Sequence, residues 1–155
     1  MERGPYPVCD AWILPMIWWI LLLFVLPATV IDLKTREVPD LLSLTLLGWA
    51  IVVTGLHLHD VGWASLLGGC LIGFGFSGAF YAMGGIGGGD VKFIAALGAA
   101  LGHAAIISAL FWIALSGGAL ALLALYRGKR DLAYLPAIAI GLTIDQFCHG
   151  RFIHV

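Results

Sequence analysis

The chain has 155 residues, 61% of them hydrophobic and only 11% charged, with a formal net charge of −1 and a mean hydropathy of +1.02. Soluble domains use roughly 25% charged residues, and a chain of one-domain length has too little interior to hide so much apolar sequence from water. The few Lys and Arg are scattered, which excludes a basic face for nucleic acid, and Cys9, Cys70 and Cys148 form no CxxC pair, so neither a metal knuckle nor a disulfide framework is indicated.

The opening residues 1–10 lack the net positive start of a secretory signal, so the first apolar run is expected to be retained; the small residues around Pro27-Ala28-Thr29 leave a cleaved signal as the alternative. A membrane-crossing helix needs about 20 apolar residues. Segments 11–31, 41–58, 62–83 and 132–147 meet or approach that length. Between them, residues 91–126 carry a single formal charge, Lys92 at the start, and would run roughly 54 Å as one helix, well beyond a hydrocarbon core of about 30 Å. That stretch must fold back, and Gly102-His103 is its best turn signal, giving segments 91–102 and 104–126.

The expectation is a single all-α domain over residues 1–155, a polytopic membrane helical bundle of about six transmembrane helices, because lipid leaves backbone polar groups no partner outside the chain. Six spans put Lys34, Arg36, Lys92, Arg127, Lys129 and Arg130 on one side and Arg3 and Arg151 on the other. The positive-inside bias then makes the first side cytoplasmic and turns both termini and the loop 57–60 outward. Gly68, Gly69, Gly73, Gly75, Gly78, Gly117 and Gly118 are expected to permit close helix approach. Pro15, Pro27 and Pro136 are expected to kink or end their helices, and the isolated cysteines to be buried and apolar.

Ionisable groups at membrane depth are costly and mark functional sites by default. Asp32 closes the first segment and Asp90 opens the fourth, after Gly84-Gly85-Ile86-Gly87-Gly88-Gly89, and both fall at the cytoplasmic boundary. Blandly, Asp32 is an interfacial charge beside Lys34 and Arg36, and Asp90 a helix cap. Together with a glycine loop that permits close approach of an extended peptide, they fit a carboxylate pair sharing one proton. One acid activates water as base and the other protonates a scissile amide, which is the requirement of aspartyl proteolysis. The pair titrates as a unit, so neither residue is fixed to one role.

Gly87-Gly88-Gly89-Asp90 fits the GxGD motif of membrane aspartyl proteases, and the string GGIGGGDVKFIAALGAALG, residues 84–102, resembles type IV prepilin peptidases. Asp32 with Arg36, Val38 and Pro39 resembles the first catalytic loop of that family, and Leu135 to Gly141 its last conserved span. The resemblance implies Asp32 and Asp90 as catalytic pair, with Gly87, Gly88, Gly89 and Lys92 lining the substrate, no cofactor and no metal. It also implies an inner-membrane location and cleavage of the leader of prepilin-like precursors at the cytoplasmic face, alongside pilus or secretion assembly proteins. Larger relatives carry paired CxxC motifs and methylate the new N-terminus. Nothing of that kind precedes Ala11, so the chain resembles the peptidase-only branch of tight-adherence or Flp-type pili, and methylation is not expected.

Where many relatives have Asn after the Val-Pro pair, this chain has Asp40, expected either to cap the second helix or to approach the pair. Lys92 is open to a second reading, as a positive anchor at the headgroups. Asp145 lies beside His149 at the far end, away from catalysis. Two alternatives remain: a presenilin-like protease, which normally pairs GxGD with a Tyr-Asp dipeptide where this chain has Ile31-Asp32, and a non-catalytic transporter or assembly subunit binding a cation or proton.

Overall fold

The computed structural model describes residues 13–35, 39–58, 61–127 and 134–152, and the side chains of all of these except 13–18, 33–35 and 149–152. The described residues form five helices and no strand: α1 (Ile13–Thr35), α2 (Asp40–Gly55), α3 (Trp63–Ala82), α4 (Gly88–Tyr126) and α5 (Leu135–Phe152). The all-helical expectation therefore holds. α3 and α4 are long and apolar enough to cross a membrane, while α1, α2 and α5 contain shorter apolar stretches, Trp19–Asp32, Asp40–Gly55 and Leu135–Cys148.

α4 is broken at Gly102, whose φ of 77° and ψ of 171° lie outside the helical region. A side chain there would be strained, and its Cβ would lie 2.6 Å from Ser65 Oγ. The Ser65 hydroxyl accepts a 3.3 Å bond from the His103 N–H, satisfying a donor that the break exposes, and also lies 2.8 Å from His103 Nδ1. The arms 88–101 and 103–126 double back on one another. A straight helix would separate Asp90 from Gly117 by about 40 Å. Instead the Tyr134 ring packs on Gly117 while the Tyr134 hydroxyl feels the charge of Asp90.

The first arm lies antiparallel to α3 through glycines. Cβ atoms at Gly69, Gly73 and Gly98 would run into backbone across the crossing; that at Gly73 would be 2.7 Å from the Ile94 carbonyl oxygen. Gly75, Gly78 and Gly118 differ from the expectation: nothing lies within 4 Å of a Cβ there, because they sit off the contact stripe. The second arm holds α5, with Ser116 Oγ donating to the Ala137 carbonyl at 2.7 Å and Gly141 pressed on Ile113. α1 packs chiefly on α5, and α2 on α4.

The prolines also differ in part from expectation. α1 runs through Pro27 as one helix, and Pro136 stands in the first turn of α5, where a missing N–H costs nothing. Pro15 lies within α1. Cys70 and Cys148 are free and half-buried rather than fully enclosed, and Cys9 lies outside the described residues.

The core is built from Leu21, Val25, Leu46, Phe93, Leu97, Ile106, Ile113 and Leu142, closed by small residues such as Ala96, Ala99 and Ala100. Large apolar side chains point outward instead: Trp19, Leu23, Leu71, Phe111, Leu122 and Phe147 are all exposed. An apolar belt of this kind has no aqueous rationale.

Candidate active site

Asp32 and Asp90 come to the same end of the bundle on different helices. Each is almost fully enclosed, at 5% and 7% exposure. α1 continues one turn past the expected boundary at Ile31, so Asp32 lies in its last turn rather than beyond it. Its Oδ2 accepts a 3.1 Å hydrogen bond from the Leu135 N–H. That donor is one of the amides left free at the start of a helix, because α5 begins at Leu135 with Pro136 behind it.

Asp90 stands three residues after Gly87, the residue that caps α4, and its Oδ2 accepts the Gly87 N–H at 3.3 Å. This is the carboxylate half of a capping box. Each carboxylate is thus steadied by an N–H at a helix N-terminus, where negative charge is favoured. The other oxygen of Asp90, Oδ1, is buried with no hydrogen-bond partner among the described residues. Buried polar atoms are nearly always paired, which leaves this oxygen open to a water or a substrate amide. The two carboxylates lie within electrostatic reach of each other, and Tyr134 completes the cluster beside Asp90.

Between α3 and α4, residues 83–87 form the glycine connection, with Gly84 at φ 73°. Gly87 and Gly88 are exposed and Gly89 is half-buried, so their backbone borders the Asp90 carboxylate from outside. A Cβ on Gly87 would sit 3.3 Å from Asp90 Oδ2.

Asp40 neither caps α2 nor joins the pair. The cap residue of α2 is Pro39 with no side-chain bond, and Lys92 Nζ lies 2.8 Å from each Asp40 oxygen. Lys92 is two residues from Asp90 but leaves α4 in a different direction, and its side chain is 57% exposed. Arg36, Glu37 and Val38 lie outside the described residues. Asp145, 1% exposed and ten residues along α5 from Leu135, is about 15 Å from the level of Asp32. Among the described residues no three His, Cys, Asp or Glu side chains are grouped to hold a metal ion.

Leu135 and Tyr134 are the contributors that residue chemistry alone does not announce. A backbone N–H has no sequence signature, although Pro136 marks a helix start and hence free donors just ahead of it.

The all-helical, apolar bundle thus gathers two enclosed carboxylates from separate helices beside a glycine connection. The chain belongs to the type IV leader peptidase family, which its residues 19–122 match. It is 35% identical over 154 residues to the prepilin leader peptidase/N-methyltransferase of Pectobacterium carotovorum subsp. carotovorum, covering 90% of this chain and 54% of that protein. It is 33% identical over 145 residues to the protein of the same name from Bacillus subtilis, covering 90% and 57%. The chain thus spans little more than half the length of these curated relatives. No solved structure matches it. Family membership favours neither the presenilin-like nor the transporter reading.

Proposed function

We propose that this protein is a membrane aspartyl endopeptidase that removes the leader from prepilin or pseudopilin precursors at the cytoplasmic face of a prokaryotic inner membrane. The observation that carries the reading is the enclosed pair Asp32 and Asp90, held at one end of the bundle within electrostatic reach, with a buried Asp90 oxygen that has no hydrogen-bond partner among the described residues.

The pair holds one proton between its two carboxyl groups. The ionised member takes a proton from water as the oxygen attacks the scissile carbonyl. The protonated member gives its proton to the amide nitrogen as the C–N bond breaks, so the two groups exchange states and one water is consumed. Leu135 N–H and Gly87 N–H orient one oxygen of each acid, leaving the other for this work. Gly87, Gly88 and Gly89 offer side-chain-free backbone against which an extended leader junction can lie, with Lys92 at the rim.

The bundle crosses the membrane six times, α4 twice, with Asp32, Asp90, Lys92 and Arg127 on the cytoplasmic side and both termini outside. The charge asymmetry of the sequence and the doubled-back α4 support this topology. Pilus or secretion assembly proteins are the expected neighbours, and leader cleavage is the activity proposed for these residues.

Asp32→Asn and Asp90→Asn are each expected to lower leader cleavage of a co-expressed prepilin by at least about 10²-fold, with membrane levels unchanged. Precursor and mature forms separate by mass, which also reads out any methyl group. Undiminished cleavage in either variant removes that residue from the pair.

A further inference from the structure

α2 and α3 both pack on α4, yet they barely touch each other. A groove of about 330 Å³ remains between them. α2 lines it with Asp40, Ser43, Leu44 and Leu47, and α4 with Lys92, Ala95 and Ala96. Both sets follow the i, i+3, i+4 spacing of one helix face, so the two stripes run side by side from the same charged end. Cys70 and Phe74 line it from α3. Gly69 lies on Gly98 and Gly73 on Ile94, which sets Phe74 near the charged end and Cys70 about one turn deeper. Leu44 and Phe74, 64% and 55% exposed, form lips that open the groove sideways into the surroundings of the apolar belt.

The mouth carries both signs of charge. Lys92 Nζ lies 2.8 Å from each oxygen of Asp40, which occupies two of its three N–H donors. One donor on Lys92 and further lone pairs on Asp40 remain, and both side chains are more than half exposed. A ligand that continues this pair brings an anion to Lys92 and, beside it, a cation with N–H donors to Asp40. One turn inward, Ser43 is 5% exposed and its hydroxyl has no hydrogen-bond partner among the described residues. Buried polar atoms are nearly always paired, which calls for an acceptor just below the charged end of the ligand. Beyond Ser43 the walls are apolar. From Asp40 to Leu47 the groove runs roughly 10 Å, and a helix about 10 Å across would fill roughly 800 Å³ over that length. The smaller volume suits a single hydrocarbon chain.

We infer that this groove is a phospholipid site selective for a headgroup with a primary ammonium, that of phosphatidylethanolamine. The phosphate meets Lys92, the ammonium meets Asp40, and an ester carbonyl accepts the Ser43 hydroxyl. One acyl chain lies between α2 and α3 against Ala95 and Ala96, supplying the dispersion contacts that an empty cleft forfeits. In the six-span topology the charged mouth stands at headgroup depth and the apolar walls at acyl-chain depth. The site goes beyond the reading of Asp32 and Asp90 and does not depend on it.

The test is lipid binding by the full chain purified in detergent, read by native mass spectrometry. Phosphatidylethanolamine, phosphatidylcholine and phosphatidylglycerol with identical acyl chains are titrated in turn. The parent is expected to bind one phosphatidylethanolamine about tenfold more tightly than phosphatidylcholine, whose quaternary ammonium has no N–H for Asp40. It is expected to bind phosphatidylglycerol, which has no cation, more weakly still. Asp40→Asn should erase the preference for phosphatidylethanolamine over phosphatidylcholine. Lys92→Gln should weaken all three lipids, as should Ala95→Leu, which fills the groove floor. Equal affinity for the two zwitterionic lipids in the parent overturns the site, and so does a preference that survives Asp40→Asn. Tighter binding of phosphatidylglycerol than of phosphatidylethanolamine also overturns it, by making Lys92 a lone anion contact.

Cys70, half-buried at the inner end of the groove, supplies a second readout. With Cys9 and Cys148 changed to Ser, phosphatidylethanolamine is expected to slow alkylation of Cys70 by N-ethylmaleimide severalfold. Undiminished alkylation at saturating lipid overturns the placement of the acyl chain. Displacement of the lipid by a peptide covering the leader junction and apolar stretch of a prepilin also overturns the proposal and gives the groove to substrate. Neither measurement involves cleavage, so the lipid site and the proposed peptidase stand or fall separately.

Discussion

Gly87 illustrates how closely the surroundings of Asp90 are drawn. It gives its N–H to the carboxylate, and a methyl group on its Cα would stand 3.3 Å from the same oxygen. Either the carboxylate turns or the cap shifts. Gly87→Ala is therefore expected to lower prepilin cleavage by about tenfold through misplacement, with no loss of folded protein, measured as kcat against melting temperature in the same detergent preparation. Parent-level kcat would show that the glycine matters only to backbone conformation. Asp32 and Asp90 stand out in the sequence because an apolar chain has so few charges that each invites explanation. The amide of Leu135 does not stand out, since every residue but proline carries one and only the fold decides which meets a carboxylate. Asp40 is legible as a third acid near the site, yet its partner is not, because nothing across a separation of 52 positions marks Lys92 as its neighbour.

At the level of elements, glycines set how near α3 and the first arm of α4 approach. Gly98 sits against the Gly69 backbone, and a Cβ on Gly98 would come 2.8 Å from the Gly69 carbonyl carbon. Gly98→Ala is accordingly expected to cost about 1–3 kcal/mol, the range for overpacking a tight contact. Gly75→Ala, with open space around its Cβ, is expected to cost nothing. Thermal unfolding of the two variants side by side checks the pair, and equal losses would mean that helix contact does not distinguish them. Composition predicts that glycines bring helices together, but it does not say which face of α3 turns toward α4. Gly69 and Gly73 are one turn apart on the buried stripe, while Gly75 in the same run is exposed and Gly78 half-buried, both with open space around a Cβ. The Gly102 break is more legible. A 36-residue stretch with no charge beyond Lys92 is too long for one crossing, and its Gly-His pair falls where the backbone turns. The part played by Ser65 in receiving the freed His103 N–H required the fold.

For the molecule as a whole, apolar side chains lie on both sides of the helices: Leu, Ile and Phe fill the core together with alanine and glycine, and further Leu, Trp and Phe form the outer surface. Such a surface is stable against hydrocarbon, and the ends of the helices then determine where water begins. Lys92 and Arg127 belong to the end that carries the two carboxylates, whereas His57 and His103 lie at the opposite end, close to the connection from α2 to α3 and to the α4 break. If α4 crosses twice, single cysteines at Gly84 and Arg127 in a Cys-free parent should react with a membrane-impermeant thiol reagent only after cells are permeabilised, while cysteines at His57 and His103 should react in intact spheroplasts. Labelling of all four from one side would refute a double crossing. Reversal of the whole pattern would keep the six spans but move the carboxylate pair to the outer face and overturn the proposed cytoplasmic site. The sidedness of four cysteines therefore tests both the proposed topology and the cytoplasmic access on which leader cleavage depends.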